Sequence, residues 1–165
     1  MQRMTPADQP EPILRFVEQI LSSHGTGEAN LPTVLDRVLA HFGCVVGTIH
    51  RLNPASGMLE LLAHRGVPKA VLDQVRAIPV GKGMAGLAAQ RRQPVQVCNL
   101  QTDDSGVAKP GAKLTEMKGS IAVPMLDGQT LRGTLGLARP EEHTFSEDQT
   151  RALLGVASLI ARHLA

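Results

Sequence analysis

The sequence predicts an α+β domain in which helices pack on an antiparallel β-sheet. Two pairs of β-rich segments are each joined by a cluster of turn residues, which predicts two β-hairpins. Three longer segments carry apolar residues at helical spacing, two before the first hairpin and one at the C-terminus. The 165 residues, 42% of them hydrophobic, suit one globular domain. We assign that domain to residues 12–165.

The N-terminal part of the chain predicts a leader followed by two helices. Residues 1–11 are expected to form a flexible leader. From Pro12 onwards, apolar residues at helical spacing predict a helix over 12–22, with the proline in its first turn. A second helix is predicted to begin near Asn30, a favourable N-cap, and Gly43 follows it where a C-terminal glycine is expected.

The first hairpin is predicted from residues 44–52 and 58–65, with the turn at 53–57. Because side chains alternate along a strand, four of them are expected to share one face of its first strand: Val46, Thr48, His50 and Leu52. This register also places His50 near Glu60 on the same face.

The remaining segments complete the antiparallel pattern. Between the hairpins we predict short elements, in order a helix over 67–75, a strand over 78–80, a helix over 84–91 and a strand over 95–97. Residues 99–118 carry little but turn signals, and loops of this length are often functional. The second hairpin is predicted over 120–139. The last helix opens at Ser146 with Gln149 at N3, a capping-box pattern.

Composition excludes several classes of function. Lys+Arg 17 against Asp+Glu 15 leaves a formal charge of +2, too small to predict nucleic-acid binding. Aromatic residues are 2% of the chain, so base-stacking platforms are hard to build. No apolar run approaches the ~18 residues of a membrane span, and two cysteines fit a reducing compartment, so we expect a cytoplasmic protein. The six histidines show no metal-site spacing, so neither metal nor cofactor is predicted.

The segment GKGMAG at 81–86 has the spacing of the dinucleotide-binding fingerprint. The preceding segment contains Pro79 and is too short for a central parallel strand, and the following acids, Asp103 and Asp104, fall in a loop. We therefore interpret these glycines as a tight turn from strand to helix that lets the helix pack closely.

Six segments, in their order along the chain, resemble the GAF domain family, sensor domains related to PAS domains. They are AHRGVP at 63–68, IPVGKGMAG at 78–86, QPVQV at 93–97, SIAVPM at 120–125, LRGTLG at 131–136 and FSED at 145–148. The resemblance covers the chain from about residue 31, which places the family core at 31–165. It implies a central antiparallel sheet of five or six strands, with outer helices on one face and a covered ligand pocket on the other.

The resemblance also suggests how copies of the chain associate. In this family the outer helices often pair two subunits. The stripe of the last helix is widened by Leu154, Val156 and Leu159, and the helix over 12–22 adds a second apolar face. We therefore expect a homodimer formed through the N- and C-terminal helices.

The pocket is expected under the 99–118 loop and the short helices. Eight residues are predicted to line it: Thr48, His50, Met84, Cys98, Asn99, Met117, Ser120 and Thr134. Plainer roles stay open. Cys98 would otherwise be a small buried hydrophobic residue, and His50 a surface or hydrogen-bonded histidine. The methionines would otherwise be ordinary core residues.

The predicted function is small-molecule binding or signal sensing without catalysis, with the ligand unidentified. One alternative is a thiol-dependent reductase resembling the free methionine sulfoxide reductases of this family. Those enzymes place cysteines in the glycine turn and in the long loop, whereas this turn has Ala85 and residues 99–126 contain no cysteine. The other alternative is an interaction module with a filled core and no ligand.

Overall fold

The computed structural model describes residues 10–23, 27–108 and 114–164. The predicted leader falls mostly in residues 1–9, outside the described residues, and the first helix begins at Pro10. The helices are α1 (Pro10–Ser22), α2 (Leu31–Phe42), α3 (Lys69–Val75), α4 (Gly83–Arg91) and α5 (Glu147–His163), with a 3-10 turn at Gly27–Asn30. The strands are β1 (Val46–Asn53), β2 (Met58–Arg65), β3 (Ala77–Pro79), β4 (Val95–Val97), β5 (Gly119–Asp127) and β6 (Thr130–Arg139).

The six strands form one antiparallel sheet in the order β3-β2-β1-β6-β5-β4. The two hairpins, β1–β2 and β5–β6, meet where β1 pairs with β6 at the centre. The two edge strands have three residues each. On β4, the side-chain amide of Gln96 makes two hydrogen bonds to the backbone of Phe145. Its oxygen accepts from the Phe145 nitrogen at 2.9 Å, and its nitrogen donates to the Phe145 carbonyl oxygen at 3.4 Å. The predicted α+β class and antiparallel sheet are confirmed.

The register of the first hairpin differs from the prediction by one residue. Because β1 continues through Asn53, the connecting turn is shorter than expected and Asn53 pairs with Met58. Glu60 therefore pairs with Arg51, and His50 pairs with Leu61 next to an irregularity between Ile49 and His50. The prediction that His50 lies near Glu60 is wrong, and this histidine has apolar neighbours on β2 instead.

The main hydrophobic core lies between the sheet and the three long helices α1, α2 and α5. The apolar stripe of α1 is used within this core, since Ile13, Val17 and Leu21 are 2%, 0% and 3% exposed. Contact between α1 and α5 is close, because a Cβ built on Gly155 would lie 2.9 Å from Leu14 Cδ2. Helix α1 is thus part of the domain core, which extends further towards the N-terminus than residue 31.

The two predicted N-caps differ in outcome. Ser146 and Gln149 form a complete capping box at the start of α5: the Ser146 hydroxyl accepts from the Gln149 nitrogen, and the Gln149 side chain accepts from the Ser146 nitrogen. Asn30 does not cap α2 through its side chain, because its backbone is already helical in the preceding 3-10 turn. Its amide donates instead to the carbonyl oxygen of Ser23 at 3.4 Å.

The glycines of residues 81–86 make a tight turn, as predicted. Gly81 and Gly83 have φ of +93° and +66°, a region that favours glycine. A Cβ on Gly86 would lie 2.5 Å from the carbonyl oxygen of Pro79. The turn links the antiparallel edge strand β3 to α4, so the parallel strand required by a dinucleotide fold does not precede it.

Candidate functional site

A cavity of about 170 Å³ lies on the face of the sheet opposite the main core. Its floor is formed by β1, β5 and β6, and its cover by α3, α4 and parts of the loop between β4 and β5. The lining is mostly apolar: Val46, Gly47, Thr48, His50, Val67, Val71, Gln74, Val75, Ile78, Lys82, Gly83, Met84, Ala85, Leu100, Ala108, Thr115, Ser120, Ile121, Ala122, Gly136, Leu137 and Ala138. The space that these residues line is called the cavity.

The floor is open because small residues occupy it. Gly136 pairs with Thr48 across β1 and β6, and a Cβ on Gly136 would lie 3.1 Å from Thr48 Oγ1. Ser120 on β5 is buried, and its hydroxyl donates to the carbonyl oxygen of Leu137 at 3.3 Å. The alternation predicted for β1 is confirmed, since Val46, Thr48 and His50 line the cavity while Ile49 belongs to the main core.

The cover combines helix α3, the glycine turn and the long loop. The ends of the loop are held together, because the backbone nitrogen of Leu100 donates to the carbonyl oxygen of Lys118 at 2.8 Å. Within the described part of the chain, Lys82 is the one charged residue of the lining besides the titratable His50, and no carboxylate lines the cavity. Since Lys82 is exposed, its ammonium group reaches the opening without the cost of burying a charge.

His50 connects the floor to the cover. Its ring is 1% exposed, and its Nε2 lies 2.7 Å from the carbonyl oxygen of Val75 at the end of α3. A carbonyl oxygen can only accept, so Nε2 carries the hydrogen and Nδ1 of the neutral ring carries a lone pair. Burial lowers the pKa of His50, which favours this neutral form, although the bond to Val75 opposes the shift. Among the described residues Nδ1 has no hydrogen-bond partner.

Five of the eight predicted pocket residues lie on the expected face. Thr48, His50, Met84 and Ser120 line the cavity. Thr134 lies just outside the lining, paired in register with His50 across β1 and β6, and it is 1% exposed.

Three predicted pocket residues lie outside the lining because the loop after β4 turns towards the start of α5. Cys98 is exposed, and its carbonyl oxygen accepts from the His143 nitrogen at 3.2 Å. The Asn99 amide donates to Glu142 Oε1 at 2.7 Å. Met117 is half-buried, and its carbonyl oxygen accepts from the Gln101 amide at 2.8 Å. These residues support the base of the cover without contacting the cavity.

Part of the cover consists of residues that were not predicted to line the pocket. Val67, Val71 and Val75 recur every four residues, and the last two lie on α3. This helical spacing could have identified them as an apolar cover. Lys82 lies within the glycine motif at 81–86, whose spacing indicates a backbone conformation and gives no signal for a side chain that lines a cavity. Gln74 and Thr115 carried no pattern that distinguishes them from surface residues.

The two cysteines are expected to differ sharply in reactivity. Cys44 is buried in the main core, and burial raises its pKa to about 12, whereas Cys98 is exposed. Because the thiolate is the reactive form, titration of the native protein with an aromatic disulfide should detect one thiol per chain, and the second only after unfolding. The matched variant Cys98→Ser should show no fast thiol. Two fast thiols in the native wild type would contradict this arrangement.

The described residues were also compared with the requirements of a metal site and of a membrane span. In residues 10–23, 27–108 and 114–164, no group of three or more His, Cys, Asp or Glu side chains is placed to hold a metal ion. Within those same residues, no helix has both the length and the apolar character that crossing a membrane requires.

Comparison with known families found one match, a family model described as GAF domain, over residues 28–165. A comparison with curated proteins found no match. Three solved structures illustrate the structural likeness. The GAF domain of a phosphoenolpyruvate-protein phosphotransferase from Coxiella burnetii superposes with a TM-score of 0.82 at 20% identity, covering 96% of this chain and 94% of that one.

The other two structures are an enzyme and a further GAF domain. A free methionine-R-sulfoxide reductase from Neisseria meningitidis, in complex with its substrate, gives a TM-score of 0.80 at 18% identity, covering 99% of this chain and 93% of that one. The GAF domain of A. aeolicus nlh2 in an inactive state gives 0.73 at 20% identity, covering 93% and 94%. At these identities the likeness shows the fold, which enzymes and other domains share.

Proposed function

Because the chain belongs to the GAF domain family, we propose that it binds a small molecule in the cavity and acts as a sensor without catalysis of its own. The observation that carries this proposal is the cavity itself, an apolar space of about 170 Å³ between the sheet and its cover. A few polar groups converge on that space, which is the usual composition of a small-molecule site.

The size and charge of the cavity limit the ligand. A volume of about 170 Å³ holds on the order of ten water molecules, so the ligand is compact. The apolar lining favours a hydrocarbon body. Lys82 at the opening, with no carboxylate in the described lining, favours neutral or anionic molecules over cations.

The floor strand β1 provides a route from the cavity to the outer helices. Its side chains alternate between the two faces, so those of Thr48 and His50 line the cavity, while a Cβ on Gly47 would point towards α2 and lie 2.8 Å from Leu35 Cδ1. A ligand that contacts floor and cover together would favour one arrangement of β1 and α3 over another. Occupancy would then shift the packing of α2 and its neighbours between two states.

We propose that the protein has no thiol-reductase activity. Ala85 lines the cavity where the resembling enzymes carry a cysteine in the glycine turn, Cys98 lies outside the cavity, and Cys44 lies in the main core. The discriminating assay is NADPH-coupled reduction of free methionine sulfoxide. Turnover that disappears in Cys98→Ser would establish the reductase instead.

Filling the cavity floor is expected to abolish ligand binding. In Gly136→Val the new side chain points towards Thr48 and occupies the open floor, so a molecule retained by the wild type in native mass spectrometry should be absent. At a concentration about 100 times Kd that molecule should stabilise the wild type by about 2.7 kcal/mol, and the variant by almost nothing.

The matched control is Thr130→Val, an exposed position on the same strand that should keep full binding. Far-UV circular dichroism checks that both variants fold. If a broad metabolite panel gives no thermal shift and the purified protein retains no molecule, the interaction module is the better assignment.

We also propose that the protein is cytoplasmic. In addition, we propose that it self-associates through α1 and α5. Most apolar residues of both helices are buried within the chain. The apolar surface left for a partner consists of Phe16, which is 44% exposed, and the half-buried Leu14, Ile20, Leu154 and Leu164. Light scattering across a concentration series measures the association directly.

A further inference from the structure

We propose that His50 and Thr134 form an inner polar subsite at the cavity floor, which receives an uncharged hydrogen-bond-donating group of the ligand, with a hydroxyl as the best match. This inference rests on the proposed function and specifies the chemistry of the ligand. It follows from two buried polar atoms, His50 Nδ1 and Thr134 Oγ1, that have no hydrogen-bond partner among the described residues.

The two atoms belong to one place in the fold. His50 and Thr134 are Cα partners across the central pair β1–β6, so their side chains leave the same face of the sheet. Directly opposite side chains in an antiparallel pair have Cβ atoms about 5 Å apart. Gly136 follows Thr134 on the same face and leaves the floor beside it open. Because His50 itself lines the cavity, its partner Thr134 borders the space that a ligand would occupy.

The chemistry of these atoms selects the group they receive. Because Nε2 of His50 donates to Val75, Nδ1 of the neutral ring can only accept, and the incoming group must donate. The Thr134 hydroxyl can donate or accept. A ligand hydroxyl therefore satisfies both atoms at once, by donating to Nδ1 and accepting from Thr134.

Charged groups are disfavoured at this position. A cation would enter an apolar site that offers no carboxylate among the described lining residues. An anion would face the lone pair of Nδ1, and the nearest cationic side chain of the lining, Lys82, is exposed at the opening. The ligand class is thus a compact molecule with an apolar body and an uncharged hydroxyl at its buried end.

The test compares two probes of nearly identical shape, phenol and toluene, by titration of the wild type and of Thr134→Val. Phenol should bind the wild type more tightly than toluene does. Thr134→Val should weaken phenol binding about fivefold or more, the usual effect of losing one buried hydrogen bond, and leave toluene binding unchanged. Without ligand, Thr134→Val should have a higher melting temperature, because it removes an unpaired buried hydroxyl.

A second measurement needs no variant. The Nδ1 resonance of His50 in 15N spectra of the wild type should shift on addition of phenol and remain in place with toluene.

Phenol affinity that falls in Lys82→Met and is unchanged in Thr134→Val would place the hydroxyl at the opening and overturn the subsite.

The outcomes separate this inference from the proposed function. If phenol and toluene bind the wild type and Thr134→Val equally, and Gly136→Val blocks both probes, the cavity binds ligands and the polar subsite is wrong. If neither probe changes the spectra of the wild type, and no member of the metabolite panel shifts its melting temperature, the binding cavity itself is overturned, and the subsite with it.

Discussion

Replacing Gly133 by alanine is expected to lower the free energy of unfolding by about 3 kcal/mol, the upper range for forcing extra volume into a packed interior. A Cβ at this position would overlap the carbonyl oxygen of His50 and lie 2.9 Å from its carbonyl carbon. Both atoms belong to the backbone of β1, which pairs with β6 at the centre of the sheet. Relief therefore requires the two central strands to separate.

Gly136→Ala is the matched control, on the same strand and with its Cβ near the hydroxyl of Thr48 rather than backbone. The Thr48 side chain can rotate away. The free energy of unfolding of this variant should therefore equal that of the wild type or exceed it by about 0.5 kcal/mol, because alanine restricts the unfolded chain more than glycine does. Urea denaturation followed by circular dichroism measures both variants, since the chain has no Trp or Tyr for fluorescence. Equal midpoints for the two variants would contradict the strand contact described here.

Val17→Asp is expected to unfold the protein or cost about 4 kcal/mol or more, because it places an unpaired carboxylate in the main core. Val17 is fully buried where α1 packs against α5 and α2. Thermal denaturation should show the loss even at low protein concentration, where a dimer would already have dissociated.

The control is the adjacent residue. Phe16 is 44% exposed, and the guanidinium of Arg37 lies 4.9 Å from its ring centroid, so Phe16→Asp can pair with Arg37 at the surface and should change stability little. If Val17→Asp keeps its melting temperature and changes the oligomeric state alone, α1 serves as an interface and its packing in the domain core is wrong.

Most of the fold was predictable because local signals agreed with each other. The turn clusters marked both hairpins, and the capping box marked the start of α5. The side-chain cap at Asn30 and the register of the first hairpin failed for reasons that lie beyond local pattern. The register of the first hairpin depended on the exact length of its turn, because a difference of one residue changes the face of the sheet on which Glu60 lies relative to His50. The contact between α1 and α5 gave no local signal either, because the two helices are distant in sequence.

The candidate site was less predictable than the fold. Strand alternation correctly placed Thr48 and His50 on the cavity face. Residues of the long loop could not be placed, because a loop has no periodicity to indicate where its side chains lie, and Cys98, Asn99 and Met117 proved to support the cover from outside the lining. The bond between His50 and Val75 joins residues whose sequence separation gave no signal of contact.

The short margins of the sheet have a consequence for how the protein behaves at high concentration. A second chain can extend a β-sheet only where an edge strand offers a run of free backbone donors and acceptors. Both edge strands here have three residues. Strand β3 ends in Pro79, which lacks an N–H, and on β4 the Gln96 side chain is hydrogen-bonded to the backbone of Phe145 in the same chain. Both edges therefore discourage the edge-to-edge growth that leads to fibrils.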